Sequence, residues 1–367
     1  MTRHFLLLIV AVSIVGIHSA VAQDTDTADV FIGFDDIEEE APPAVSHSGG
    51  WTDMIHISGR FDLNLEVTNP SKEFQRTSQF RNYHKFIFLN VKPDDRIALE
   101  AEILDLSYYE IKYRVWREFE LRFGKIWVPF GATPFHHYYG GIQGDPFQGL
   151  FLPNVWSEFG GTIGGTIFTG NQVQIDVDLF AIRGFETELG NVLNLSNGGA
   201  DDTYAFGQRT RLGFGKISLW GSALYNQFGL NNDGHLVLWG GDLLVDYGLV
   251  NAPILKDLKL RVAFARADIK DQELVEERFN TDGWYYRYGD YAELTYRGLP
   301  HVSPRVRYGT IVDYDDVVTN NDSHNTEFAA LVRINRNLSV LMQYQLNMEE
   351  VNEIDNDLFR IHAVFEF

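Results

Sequence analysis

Residues 55–66 decide the fold, and they read Ile-His-Ile-Ser-Gly-Arg-Phe-Asp-Leu-Asn-Leu-Glu. Apolar residues alternate with polar or charged ones along the whole stretch, with Gly59 in one apolar place. Successive side chains of a β-strand point to opposite faces, so the stretch would present one apolar face and one charged face. It therefore predicts a strand that separates an apolar environment from a polar one.

The same alternation returns along the chain, for example at 171–182, 257–267 and 338–348. We count about sixteen such segments of roughly ten residues, the length that a tilted strand needs to cross a bilayer. The predicted strands are 54–66, 80–91, 96–105, 106–115, 117–126, 157–168, 171–182, 204–214, 216–226, 235–247, 257–267, 284–298, 304–314, 325–335, 338–348 and 357–367.

The lengths of the connections give an independent signal. Odd-numbered strands are mostly followed by long links, at 67–79, 127–156, 183–203, 268–283 and 315–324. Even-numbered strands are mostly followed by links of one to four residues. Long loops at one end and tight turns at the other are the arrangement of an outer-membrane barrel. The predicted fold class is all-β, a transmembrane antiparallel β-barrel of about sixteen strands.

The polar face of these strands carries many charges, which would be costly to bury in a dry core and cost little along a water-filled channel. The apolar face would then meet the lipid of the outer membrane. We predict that the following residues line the pore: Lys112, Arg114, Arg122, Arg209, Arg211, Arg261, Arg305, Arg307, Glu100, Glu102, Glu118 and Glu120.

The first fifty residues differ from the rest. Residues 1–22 combine Arg3, an apolar run and a final Ala-Val-Ala, which is the pattern of a secretory signal peptide. Residues 23–50 are acidic and proline-containing, and predict a disordered leader. The barrel is expected at 51–367, where no apolar stretch is long enough for a transmembrane helix.

The composition excludes some partners. The net charge is -21, which argues against nucleic acid because binding phosphate needs clustered Lys and Arg. There is no cysteine, which is compatible with passage through an oxidising compartment. We predict no cofactor, no metal site and no catalytic residue; the adjacent His136 and His137 would point apart on an extended chain.

One stretch resembles a known family. Residues 121–131 read Leu-Arg-Phe-Gly-Lys-Ile-Trp-Val-Pro-Phe-Gly and resemble a turn of the phosphate-selective porins, bacterial outer-membrane porins. The residues that match this turn are Gly124, Pro129, Phe130 and Gly131. Residues 152–160 resemble the segment that re-enters the barrel, and the final Phe367 resembles the terminal assembly signature of outer-membrane barrels.

The resemblance implies a sixteen-stranded barrel, commonly trimeric, with one extracellular loop folded into the pore. The link after the fifth strand, 127–156, is the third on the long-loop side, and it is the natural candidate because it is the longest and is unusually aromatic. An alternative is that this loop packs on a neighbouring subunit. We assign the constriction to Pro129, Phe130, Phe135, Tyr138, Tyr139 and Asp145.

The predicted function is a porin for passive diffusion of small hydrophilic solutes or ions, including anions such as phosphate. Wall bases and acids that face each other would create a transverse field across the pore without strong net selectivity. The alternative is an outer-membrane barrel with an enzymatic or adhesion role, for which His301 and Ser303 lie close in sequence but outside any nucleophile motif.

Overall fold

The computed structural model describes residues 54–68, 78–132, 156–170, 172–184, 203–228, 234–270, 284–313, 323–349 and 357–367. In these ranges the chain forms sixteen β-strands in one closed barrel. Each strand pairs antiparallel with its neighbours in sequence, and β1 pairs with β16 to close the barrel. The described segments contain no helix that is long and apolar enough to cross a membrane.

The strands have the following bounds: β1 Ile55–Thr68, β2 Ser78–Val91, β3 Ile97–Glu102, β4 Tyr109–Trp116, β5 Phe119–Trp127, β6 Ser157–Thr169, β7 Val173–Arg183, β8 Tyr204–Phe214, β9 Ile217–Phe228, β10 Gly234–Val245, β11 Leu258–Lys270, β12 Trp284–Tyr296, β13 Val302–Asp313, β14 Ser323–Arg333, β15 Leu338–Glu349 and β16 Leu358–Glu366. The fold class predicted from the alternation is confirmed, and most boundaries differ by no more than three residues from those predicted.

The clearest boundary error concerns β3 and β4, which were predicted to run on directly from 105 to 106. The structure places a turn there, because the Glu102 carboxylate accepts hydrogen bonds from the backbone N–H groups of Leu104 and Asp105, at 2.8 and 2.9 Å. A carboxylate that binds neighbouring N–H groups stabilises a turn at the expense of strand pairing. The alternation could not reveal this, since Glu102 also fits the polar face of a strand.

The two faces of the barrel wall differ in the way that the alternation predicts. In β1, Ile57 and Leu63 are exposed on the outer face, with 54% and 60% of their surface accessible. Asp62 and Asn64 on the other face are buried. Exposed apolar side chains around the outside form the surface that a bilayer covers.

The C-terminal residue closes the barrel. Phe367 exchanges two backbone hydrogen bonds with Gly59 of β1, at 2.9 and 3.1 Å. Its ring stacks with Phe61, with ring centroids 6.1 Å apart. The ring lies so close to Gly59 that a Cβ atom there would be 2.5 Å from the ring carbon Cζ. A glycine at 59 therefore makes room for the terminal aromatic ring.

Candidate permeation pathway

The chain turns into the barrel directly after β5. The N–H of Gly131 donates to Ser222 Oγ of β9 at 2.9 Å, and the N–H of Ala132 donates to Asp242 Oδ2 of β10 at 3.1 Å. Strands β9 and β10 are not neighbours of β5 in the sheet, so these bonds cross the interior. The first residues of the link 127–156 are thus folded into the lumen, as the fold prediction expected.

Two glycines of the 121–131 stretch hold positions that a larger residue would strain. Gly124 has φ +137° and lies so close to β4 that a Cβ atom would be 2.3 Å from the Tyr109 carbonyl oxygen. Gly131 has φ +76°, in the left-handed region, where the chain turns toward Asp242. Only glycine adopts such conformations without steric cost. The two matching glycines therefore have a structural reason within this chain.

The loop start rests on an apolar part of the inner wall. Val128 and Phe130 are buried, and the ring of Phe130 lies 5.4 Å from that of Trp156, where the chain leaves the loop. The wall beneath them belongs to one buried cluster formed by Phe180, Ile182, Ala205, Leu224, Leu236, Leu238, Ala263, Ala265, Ala267, Ile269 and Tyr291. The inner face is therefore not uniformly polar.

Sequence reasoning missed this apolar wall because it treated every inward face as polar. A signal exists in β11, where small Ala263, Ala265 and Ala267 alternate with larger residues. Small side chains on one face of a strand leave room for another part of the chain to pack there.

A charged wall that solvent partly reaches runs along the inner faces of β3 to β8. Arg209 lies 2.6 Å from Asp178, and Arg211 lies 3.2 Å from Asp176. Both guanidinium groups sit over the ring of Trp220, 5.2 and 5.3 Å from its centroid. The Arg211 side chain keeps 31% of its surface accessible. These charges can act on a passing ion because water still reaches them.

The same wall continues through Lys112, which lies 2.7 Å from Glu100 and 3.2 Å from Glu110. The guanidinium of Arg122 lies 3.9 Å from Glu110 on the neighbouring strand. Acids and bases thus pair within the wall, on adjacent strands. The transverse field expected from opposed walls is weakened, because each pair cancels most of its own field at a distance.

A second charged wall, from β10 to β14, is buried. Arg307 lies 2.8 Å from Glu293 and 3.4 Å from Glu327, and its side chain is 2% exposed. Arg261 lies 3.3 Å from Asp242, and Arg261 and Arg307 both approach the ring of Tyr291, with guanidinium carbons 5.3 Å from its centroid. Removing one partner from such a buried pair typically costs about 3–5 kcal/mol of stability. The ion pairs of this wall therefore contribute to the stability of the barrel.

The predicted pore-lining residues therefore divide into a group that solvent partly reaches, a buried group and one residue in a turn. Strand alternation and pairing place eleven of the twelve on the inner face, and Glu118 lies in the turn between β4 and β5. Solvent reaches part of Lys112, Arg114, Arg122, Arg209, Arg211, Glu100 and Glu120. The remaining inward residues, Arg261, Arg305, Arg307 and Glu102, are buried.

The predicted constriction is described only at its start. Pro129 and Phe130 are buried inside the barrel. The predicted constriction residues Phe135, Tyr138, Tyr139 and Asp145 lie outside the described residues, as do the signal peptide 1–22 and the leader 23–50. Within the described ranges, His, Asp and Glu side chains form no group of three or more that could hold a metal ion.

Comparisons with known proteins find similar folds among solved structures. No protein-family model and no curated protein sequence matches the chain. Among solved structures, the chain resembles an anion-selective porin from Comamonas acidovorans with a TM-score of 0.57 and 9% identity, covering 85% of this chain and 99% of that one. OmpT, an outer-membrane protein of Vibrio cholerae in a trimer form, matches with a TM-score of 0.57 and 10% identity over the same shares.

The outer-membrane channel DcaP of Acinetobacter baumannii matches with a TM-score of 0.51 and 11% identity, covering 85% of this chain and 97% of that one. At such low identity these neighbours establish the fold alone. The closed antiparallel barrel of sixteen strands, with residues 128–132 inside its lumen, has the fold of bacterial outer-membrane porins.

Proposed function

We propose that the chain is a porin of the bacterial outer membrane, which lets small hydrophilic solutes or ions diffuse passively through its lumen. The observation that carries this proposal is the division of the wall: apolar side chains cover the outside, and hydrated charged side chains such as Arg211 and Lys112 line the inside. A barrel that served only as a structural element would have no need of water-accessible charges in its lumen.

Anions, including phosphate, are one class of solute in this proposal. The support is the set of accessible cations on β4, β5 and β8, together with the resemblance of residues 121–131 to the phosphate-selective porins. Arginine and lysine are the side chains that bind phosphate groups in proteins. Lys112, Arg122, Arg209 and Arg211 each have a carboxylate within 4.0 Å, so we expect anion preference to be weak.

The partners in this proposal are outer-membrane lipid and two further copies of the chain. The outer wall from β3 to β5 is built from short strands of 6, 8 and 9 residues. The turn between β3 and β4 exposes Leu104 and Leu106, with 48% and 58% of their surface accessible. A short wall with apolar side chains at its rim suits contact with another protomer better than contact with water, and we assign the homotrimer contact to it.

The alternative, an enzymatic or adhesion role for the barrel, remains a prediction from the sequence. His301 lies in the turn after β12 with φ +61°, and Ser303 belongs to the start of β13. No observation on these two residues favours catalysis over a role in the turn.

Liposome swelling tests the proposal. Purified protein reconstituted into vesicles should let small sugars enter, at rates that fall steeply with solute size. A matched preparation of unfolded protein should give no swelling. Vesicles that contain folded protein and stay impermeable to every solute would contradict the porin function.

A further inference from the structure

A row of amide side chains lies on the inner wall, about half a turn of the barrel away from residues 128–132. It consists of Asn64, Asn325, Gln343, Gln345 and Asn347, which we call the amide wall. Strand pairing sets Asn325 directly across from Asn347, and Glu327 across from Gln345. Gln343 pairs with Arg360, which in turn pairs with Glu66. These residues occupy the half of β14, β15, β16 and β1 that leads to the long loops.

The position of the amide wall leaves it facing the lumen. Residues 128–132 contact β8 to β10, which lie about half a turn of the sixteen-stranded barrel away from β15. Asn325, Gln345 and Asn347 are half-buried, so water reaches them. These side chains are therefore accessible from the lumen.

The amide wall carries little net charge. Arg360 lies 2.8 Å from Glu66, and its Nη1 also donates to Gln343 Oε1 at 3.4 Å. Glu327 lies 3.4 Å from Arg307. Since Arg360 and Glu66 neutralise each other and Glu327 shares Arg307 with Glu293, the wall exerts only a weak force on ions. Its amide groups both donate and accept hydrogen bonds.

Several acceptor atoms of this region have no hydrogen-bond partner among the residues that the structure describes: Asn64 Oδ1, Asn325 Oδ1 and Glu327 Oε2. Other groups are already paired, since Gln345 Nε2 donates to Asn347 Oδ1 at 2.6 Å and Asn64 Nδ2 donates to Glu66 at 2.8 Å. A buried acceptor without a donor is costly. These atoms are enclosed, so a solute in the lumen meets instead the half-buried side chains of Asn325, Gln345 and Asn347.

We propose that the amide wall is a binding track for neutral, polyhydroxylated solutes of the sugar type, which exchange hydrogen bonds with water for bonds with Asn325, Gln345 and Asn347. This inference rests on the proposed porin function and specifies its solute class. A hydroxyl both donates and accepts, so it matches a wall of mixed amide groups. A simple anion would find acceptors there and few donors.

The test compares sucrose entry with KCl conductance in reconstituted protein. The variant Asn325→Leu/Gln345→Leu/Asn347→Leu should keep its KCl conductance, while the ratio of sucrose flux to KCl conductance should fall by at least about fivefold, the factor that the net contribution of one hydrogen bond supplies. The matched control is Thr326→Leu with Met348→Leu, which changes the neighbouring positions on the outer face and should leave the ratio within about twofold.

A second variant keeps the test decisive if the leucine variant does not assemble. Asn325→Ala with Gln345→Ala removes both amide groups without adding bulk or charge, and it should also lower the sucrose ratio. An unchanged ratio in the assembled variants would overturn the inference. Wild-type protein whose single-channel current is reduced by choline and not by sucrose would assign the acceptors to organic cations and also overturn it. Wild-type protein without KCl conductance would instead refute the porin function itself.

Discussion

Reversal of two lumenal charges should change the ion selectivity of the pore. In the variant Arg209→Glu/Arg211→Glu, two accessible cations become anions beside Asp178 and Asp176, the partners that lie 2.6 and 3.2 Å away in the wild type. The four carboxylates would then form one negative patch on the inner faces of β7 and β8. Cations should be attracted to this patch and anions repelled.

The size of the effect follows from Coulomb's law with screening. A unit charge acts on an ion about 8 Å away in water with about 0.5 kcal/mol, and salt at about 0.1 M reduces this to roughly half. Each reversal changes the charge by two units, so two reversals lower the energy of a cation by about 1 kcal/mol and raise that of an anion equally. The cation-to-anion permeability ratio should rise by about thirtyfold at this distance, and by about fourfold if ions pass at about 12 Å.

The assay is the reversal potential of single channels in a KCl gradient. The matched control is Arg266→Glu, because Arg266 has a similar ion pair, 2.6 Å from Asp268, but lies on the outer face of β11. It should leave the permeability ratio unchanged. Arg209 also donates to the Gly131 carbonyl oxygen at 3.4 Å, so its replacement could move the start of the loop as well as change the charge. The single variant Arg211→Glu changes the charge and leaves this hydrogen bond in place. A shift below about twofold in the double variant, or an equal shift in the control, would refute the assignment of these side chains to the conducting path.

Three further predictions concern the loop and the closure of the barrel. Gly131→Ala should strain the left-handed turn by about 1–2 kcal/mol and loosen the start of the loop, and the open-channel current should become noisier. The control is Gly215→Ala in the turn after β8, where the residue is also left-handed, with φ +55°, and the noise should not increase. Asp242→Ala should remove both the acceptor of the Ala132 N–H and the ion-pair partner of Arg261. The free energy of unfolding, measured by urea titration, should fall by about 3–5 kcal/mol, and a loss below about 1 kcal/mol would contradict a buried ion pair. Gly59→Val should displace the Phe367 ring and slow the closure of the barrel. The compact band of the folded barrel should then appear later in gel electrophoresis of unheated samples. A folding rate equal to that of the wild type would contradict the close packing of Phe367 on Gly59.

The barrel was predictable because successive side chains of each strand alternate between an apolar and a polar environment. In β1, Ile57 and Leu63 lie on the outer face, and their neighbours Ser58 and Asn64 lie on the inner face. The sequence shows this directly as an alternation with a period of two. The short turns, such as 215–216, confirmed the direction of successive strands. The turn at 103–108 was missed because one residue, Glu102, serves equally well as a strand residue and as a turn acceptor.

The division of the inner wall was not predictable from the alternation. Arg211 and Arg307 occupy the same kind of inward position in sequence, yet the first is partly accessible and the second is enclosed by Glu293 and Glu327. Their difference depends on which neighbours the barrel brings beside each strand, and on where residues 128–132 cross the lumen. Sequence spacing within one strand carries no information about either.

The most direct test of the central claim is the conductance of the purified, detergent-folded protein in a planar lipid bilayer. The account predicts discrete, long-lived current steps in KCl, with a reversal potential that the Arg209→Glu/Arg211→Glu variant moves toward cation selectivity. Correctly folded protein that inserts into the bilayer and gives no current steps would contradict it.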